Sequence, residues 1–420
     1  MPPRRYQRPE ARTEIWGSDM AEDTGTHIGR RLREIRTWRG LSLRATAELA
    51  GYSESYLSLI ERGERPVDKR STLEALSGAL RVAPSELTGT THLMPGATEE
   101  HSAVRVLRLA LAELDMRDPS EVAPRPLPEL RPELKRVNTL RQACDFAGLS
   151  QVLPGLVRDL HAHVHQSSDE ARREAHLGLV DCFEAARAAS KHLGAPDLSQ
   201  VAARHLRDVT DALSGAEWTG LAAWARAQAI GSTARSRALV LTQRAADDLA
   251  GELDRPEVAQ VYGSLHLVAT LAAATLGRFD EADAHLAEAA DTATRAAETN
   301  FAHLYFGPAN IEIWRVMVAV ERGEGGKAVE IARALPADSL PPSAERQSAL
   351  YLDVGRGLAT EKATRDQAVM AFRHAEDIAP QKVRANPFVR EAVTDLLRRA
   401  RRDAGGRELR GMAYRMGLAG

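Results

Sequence analysis

Cysteine is almost missing from this chain. Cys144 and Cys182 are the two among 420 residues. Two are too few for a disulfide framework or a cysteine zinc site, and a reducing cytoplasm is the expected compartment. Aromatic residues make up only 5% of the sequence, and six lysines stand among 56 basic residues. Scarce aromatics with abundant Ala, Leu and Arg favour helices. No stretch alternates apolar and polar residues as a half-buried strand does. Nothing approaches the roughly 18 apolar residues of a membrane span. Arg4, Arg5 and Arg8 have no apolar run behind them, so no secretory signal is expected. No GxSxG, HExxH or paired-carboxylate motif occurs. No enzyme, metal site or cofactor is therefore expected.

Two faint motifs dissolve on inspection. HAHVH at 161–165 sets His161 and His165 one helical turn apart, with no third ligand in view. RGEGGKAV at 322–329 has Ala328 where a phosphate loop needs Ser or Thr for magnesium, so a helix–helix turn is the better reading.

What is present is charge placed unevenly and apolar residues at helical spacing. The formal net charge is −2, yet residues 26–90 carry eleven Arg or Lys against eight acids. A basic segment on a mildly acidic body suits a phosphate-facing module. Residues 1–25 are irregular, with Pro, Arg and acids, and read as a disordered tail. Residues 26–90 contain five short helical segments, at 28–39, 43–50, 54–61, 71–80 and 84–88. Residues 91–131 read as a linker that holds one amphipathic helix, 101–117. Its Val104, Leu107, Leu111 and Leu114 face asks for a partner. A proline-rich stretch at 119–132 interrupts the pattern. From 132 to 420 the chain reads as helix after helix, so the fold class is all-α.

The segment GLSLRATAELAGYSESYLSLIERGERP, 40–66, carries the sharpest signal. Ser42 and Ser53 can each cap a helix. Ala47 is small where two helices must touch, Gly51 sits at the turn, and Leu57 and Ile60 point inward. This pattern, continued by TLEALSGALRVAPSEL at 72–87, resembles the XRE family, the group of the phage Cro repressors. The resemblance covers about 60 residues and implies a helix-turn-helix that binds double-stranded DNA. It implies that Ser53, Glu54, Ser55 and Leu59 face base edges, with Tyr56 on the same outer face. It gives Ser42 and Arg44 the phosphate-facing end of the second helix, and Arg62 and Arg65 the backbone beyond the third. It makes Arg36 and Glu61 an internal ion pair. Leu43 and Thr46 depart from the family pattern, which usually has Gln and an apolar residue there. Glu54 departs too: it can accept from cytosine N4, or only favour the positive end of its helix.

The helical region repeats. Ala282, Leu286 and Ala289 share the offsets of Ala368, Phe372 and Ala375, with Pro380 beyond. This resembles the second helix of a tetratricopeptide repeat, with weaker echoes at Ala238 and Ala328. Repeat arrays take ligands on their concave face. HLYFGPANIEIW, 303–314, crowds aromatics into a chain poor in them. Tyr305, Phe306, Asn310 and Trp314 are candidate ligand-binding residues there; an aromatic core patch is the plainer alternative. The layout is similar to peptide-sensing quorum regulators and to Arg- and Ala-rich regulators of actinobacteria. It implies a cytoplasmic, nucleoid-associated homodimer on a near-palindromic operator, sensing a peptide, small molecule or protein. The alternative is a scaffold or antitoxin-like autoregulator whose repeats grip a partner protein. No membrane partner is expected.

Overall fold

A computed structural model of the chain describes residues 27–89, 98–118, 123–231, 233–295, 300–400 and 406–418. The tail expected at 1–25 and two parts of the expected linker, 91–97 and 119–122, lie outside them. Among the described residues the secondary structure is helical with no strand. The all-α class follows.

The first five helices are α1 (Ile28–Trp38), α2 (Leu43–Ala50), α3 (Glu54–Glu61), α4 (Arg70–Leu80) and α5 (Pro84–Thr88). Their ends match the segments read from hydrophobic spacing to within a residue. They enclose one core of Ile28, Leu32, Ala47, Leu57, Ile60, Val67, Leu73, Leu76, Leu80 and Leu87. Gly29 is needed where α1 crosses α3, because a Cβ there would meet the Ile60 carbonyl oxygen at 1.8 Å.

The remaining helices form an array in which, from α7 onward, successive members pack on one another. These are α6 (Thr98–Ala112), α7 (Leu127–Gln142), α8 (Phe146–Gln166), α9 (Asp169–His192), α10 (Pro196–Thr210), α11 (Ala216–Ile230) and α12 (Arg235–Leu249). Then come α13 (Pro256–Thr275), α14 (Phe279–Arg295), α15 (Pro308–Arg322), α16 (Gly325–Ala334) and α17 (Ala344–Ala359). The chain closes with α18 (Arg365–Ile378), α19 (Pro380–Arg384), α20 (Pro387–Ala400) and α21 (Arg407–Arg415). The repeated small–large–small residues are all inside: Ala282, Leu286 and Ala289 on α14, and Ala368, Phe372 and Ala375 on α18.

Three expectations change. The apolar face of α6 has its partner within the same chain, for Ala103, Leu107 and Leu111 are buried in the main core of the array. The helix packs on α8 and α10, so its face is not free for a second copy. The proline-rich stretch does not end at 132 as a break. Helix α7 starts at Leu127, with Pro128 in its first turn, and runs through Pro132. Proline is harmless in a first turn, where its missing N–H has no partner to lose. Finally, α13 is by length and composition apolar enough to cross a membrane, but 89% of that window is buried inside the fold. It packs on α11, α12, α14 and α15, and a helix apolar on all sides is what a position surrounded by other helices requires.

The five-helix domain is seated on the array through a charged seam. The Glu321 carboxylate at the end of α15 accepts from the Arg70 backbone N–H at 2.9 Å and from its guanidinium at 2.5 Å. Arg356 of α17 donates to Glu321 at 2.7 Å, to Asp353 at 2.6 Å and to the Asp68 carbonyl at 2.7 Å. Both guanidiniums lie over the Phe388 ring of α20, and Phe388 joins the core of the five-helix domain. Glu391 on the same helix accepts from the Ile28 N–H at the start of α1.

Candidate nucleic-acid interface

The α2–turn–α3 unit is built by local chemistry. The Ser42 hydroxyl accepts from the Ala45 N–H and caps α2. The Ser53 hydroxyl accepts from the Tyr56 N–H and caps α3. Each satisfies an N–H that a helix start leaves unpaired. Gly51 ends α2 with φ 74°, a left-handed backbone that glycine adopts without a Cβ penalty. Thr46 is fully buried, and its hydroxyl donates to the Ser42 carbonyl at 3.1 Å. The hydroxyl in place of an apolar group is therefore satisfied.

The inner face of α3 is locked. Leu57 and Ile60 are in the core. Glu61 receives two parallel bonds from Arg36, at 2.6 and 2.9 Å. Only 15% of the Arg36 side chain and 7% of the Glu61 side chain are exposed. The bond to Glu61 raises the Arg36 pKa, since it favours the charged form. The third Arg36 nitrogen, Nη1, donates to the Leu41 carbonyl, so this side chain ties α1, the α1–α2 turn and α3 together.

The outer face is open. Ser42, Arg44, Ser53, Glu54, Ser55, Arg62 and Arg65 are all exposed, and Leu59 is half-buried. Tyr56 is half-buried in a stack: its ring lies 4.8 Å from that of Tyr52, with the Arg65 guanidinium 4.6 Å from its centroid. That stack holds Arg65 at the rim of α3. Two basic side chains have acidic company in the absence of DNA. Arg44 pairs with Glu48 at 2.9 Å and Arg62 with Glu64 at 2.7 Å. Both pairs are exposed and exchangeable, since such bridges contribute little.

Residues 27–88 match the family described as a helix-turn-helix domain. Comparison with curated proteins and with solved structures found no match. The match spans the five short helices, and it supports a DNA-binding regulator.

The aromatic stretch of the array divides into two environments. Leu304 and Phe306 are buried. Phe306 lies against Gly263, where a Cβ would meet the ring at 2.0 Å. Asn310 is buried with its Oδ1 unpartnered, and Trp314 packs against the cluster around Leu286 and Met317. Phe306, Asn310 and Trp314 thus belong to packing between helices, because α15 turns that face onto α13 and α14. Tyr305 alone of the four lines a cleft, together with His303 and residues of α7 and α9. The turn that presents it is strained: Ala302, His303 and Tyr305 have φ of 48°, 55° and 51°. Left-handed backbone costs a non-glycine residue about 1–2 kcal/mol.

Nothing in sequence spacing announces the seam or the cleft. Arg70 and Glu321 are 251 residues apart, and Asn138 and Asp181, which meet in the cleft, are 43 apart.

Proposed function

We propose that this chain is a sequence-specific transcriptional regulator of XRE type, with a tetratricopeptide-like array that senses a peptide, small molecule or protein. The observation that carries the reading is the contrast across α3. Arg36, Leu57 and Ile60 fix its inner face, while Ser53, Glu54 and Ser55 stand exposed at its N-terminal end. A recognition helix needs that combination: base contacts select sequence only when the helix cannot turn away from them. Arg44, Arg62 and Arg65 flank the face and supply phosphate contacts once DNA displaces Glu48 and Glu64.

The regulator acts as a homodimer. A near-palindromic operator with half-sites about one DNA turn apart then follows from two-fold symmetry. The experiment is enrichment of DNA from a random pool by the full-length protein, followed by footprinting and sizing of the complex. Enrichment of a near-palindrome bound by two copies supports the reading. Failure to enrich any sequence overturns it, and a monomer on one half-site overturns the dimer.

A further inference from the structure

We propose that the cleft between α7, α9 and the 300–307 turn binds an organic amine, and that α15 and α17 relay its occupancy to the DNA-binding domain. The inference rests on the reading of the array as a sensing domain, and it names the site and the chemistry.

The cleft has a volume of about 690 Å³, within the range of small-molecule sites. Its polar lining brings Asn138 and Asp181 together. Asn138 gives its Nδ2 to the Asp181 carboxylate at 2.9 Å. Its Oδ1 is buried and has no partner. An amide oxygen and a carboxylate with spare lone pairs thus sit together, and both accept. A protonated amine carries two or three N–H groups and one positive charge, which answers the half-exposed Asp181 carboxylate directly and the Asn138 Oδ1, sealed from solvent, once that side chain turns toward the cleft. An unmatched buried acceptor is unfavourable, so filling it favours binding. Leu134, Ala143, Pro342 and Ala344 line the rest of the cleft and suit an apolar chain or ring, with Tyr305 opposite.

The other charges near the cleft do not oppose this. Arg141 is engaged with Glu184 at 3.2 Å and with the His303 carbonyl at 3.0 Å. Burial lowers the His303 pKa, which favours the neutral ring. Lys135 is exposed at the rim, where its flexible stem keeps the ammonium in water.

Two helices join the cleft to the seam. Helix α15 begins at Pro308, three residues after Tyr305, and ends beside Glu321, which holds Arg70 of the DNA-binding domain. Helix α17 begins with Ala344 in the cleft wall. Its Arg346 donates to the Leu304 carbonyl of the strained turn at 3.3 Å. Its far end carries Asp353 and Arg356 of the seam. A helix of 15 residues is about 22 Å long, and packed helices shift as rigid units. A change in the 300–307 turn therefore reaches Arg70 along both helices. The seam supplies the element with two arrangements, seated and released, that such coupling needs.

The test uses the full-length protein and dansylcadaverine, a fluorescent primary amine with an apolar ring system. Its N-acetyl derivative is the uncharged control. Saturable binding of the amine is expected, at least ten-fold tighter than that of the derivative. Asp181→Asn should weaken it ten-fold or more. Thr139→Trp, on an exposed lining position of α7, should block it without disturbing the core. The second arm measures affinity for DNA enriched from a random pool. Bound amine should change it at least five-fold, a common size for coupling between sites. Glu321→Gln should keep amine binding and lose that change. Equal binding of the acetylated control, or unimpaired binding by Thr139→Trp, overturns the site. Amine binding with no effect on DNA affinity overturns the relay. If DNA binds and the amine does not, the cleft inference fails alone. If no DNA binds, the regulator reading fails while the amine arm still decides the cleft.

Discussion

Glu321→Gln should release the DNA-binding domain from the array. The wild-type carboxylate is fully buried and takes bonds from Arg70 and Arg356. The amide offers one acceptor instead of two and turns an N–H toward two guanidiniums. Breaking one side of a buried ion cluster typically costs about 3–5 kcal/mol. The acidity of the carboxyl points the same way. The two arginines, with the Arg70 N–H, outweigh burial and hold the Glu321 pKa at about 2 against an ordinary 4.5. That fall is worth about 3 kcal/mol at 1.36 kcal/mol per pH unit. The reporter is the Ile28 amide, which donates to Glu391 across the same seam without touching Glu321. A loss of about 3 kcal/mol speeds its hydrogen exchange roughly a hundred-fold if exchange follows seam opening. Sign follows from linkage. A depressed folded-state pKa gives stability that is present above 4.5 and lost as pH falls toward 2. The wild type should therefore loosen over that window, and the variant should lack this part of the slope. Exchange at Ile28 within five-fold of wild type, or the same acid slope in both proteins, would refute the argument.

Two further outcomes follow from the same reasoning. Arg36→Ala should lower the melting temperature, since it strands Glu61 in a packed domain at about 3 kcal/mol. Arg62→Ala should leave the melt unchanged and weaken all DNA sequences alike, with a salt slope smaller by about one; equal melting temperatures for the two variants would contradict this. Burial pushes the Glu391 pKa up to about 7, against the opposing bonds from the Ile28 and Val67 N–H groups. The folded state therefore keeps a proton that the unfolded state releases near 4.5. Stability should fall as pH rises between those values, by up to about 3 kcal/mol, and Glu391→Gln should flatten that part of the curve. Parallel pH–stability curves for wild type and variant would count against it.

The helix-turn-helix was legible because its caps, turn and inward-facing residues are local. Caps at Ser42 and Ser53, a glycine at 51 and apolar residues at 57 and 60 act over a few residues. Arg36 and Glu61 lie 25 residues apart, and only a family resemblance pairs them. The array was legible where small and large residues alternate strongly, as at Ala368, Phe372 and Ala375. It was misread where pattern cannot name a partner. The face of α6 is apolar whether it packs on α8 or on a second chain. The aromatic stretch shows the same limit. Composition marked 303–314, but only the backbone of the turn decides that Tyr305 faces a cleft while Phe306 faces Gly263.

The seam illustrates why such contacts escape a sequence reading and why they suit regulation. An apolar junction between the domains would announce itself as an unmatched hydrophobic face and would hold without direction. This one buries Glu321, Asp353 and Arg356 and partly buries Arg70. Burial also pushes the neighbouring Arg235 down to about 10, helped by the charge of Arg70. Desolvation offsets most of the attraction in such clusters, so the net stabilisation is small while the loss of one member is large. A contact with those two properties suits the seated and released pair that the proposed relay calls for. Its three array members stand at the far ends of α15 and α17, the two helices that start at the cleft. Under the relay proposed above, a small displacement inside the array would change the attachment of the helix-turn-helix domain, while Ser53, Glu54 and Ser55 stand exposed and clear of the seam.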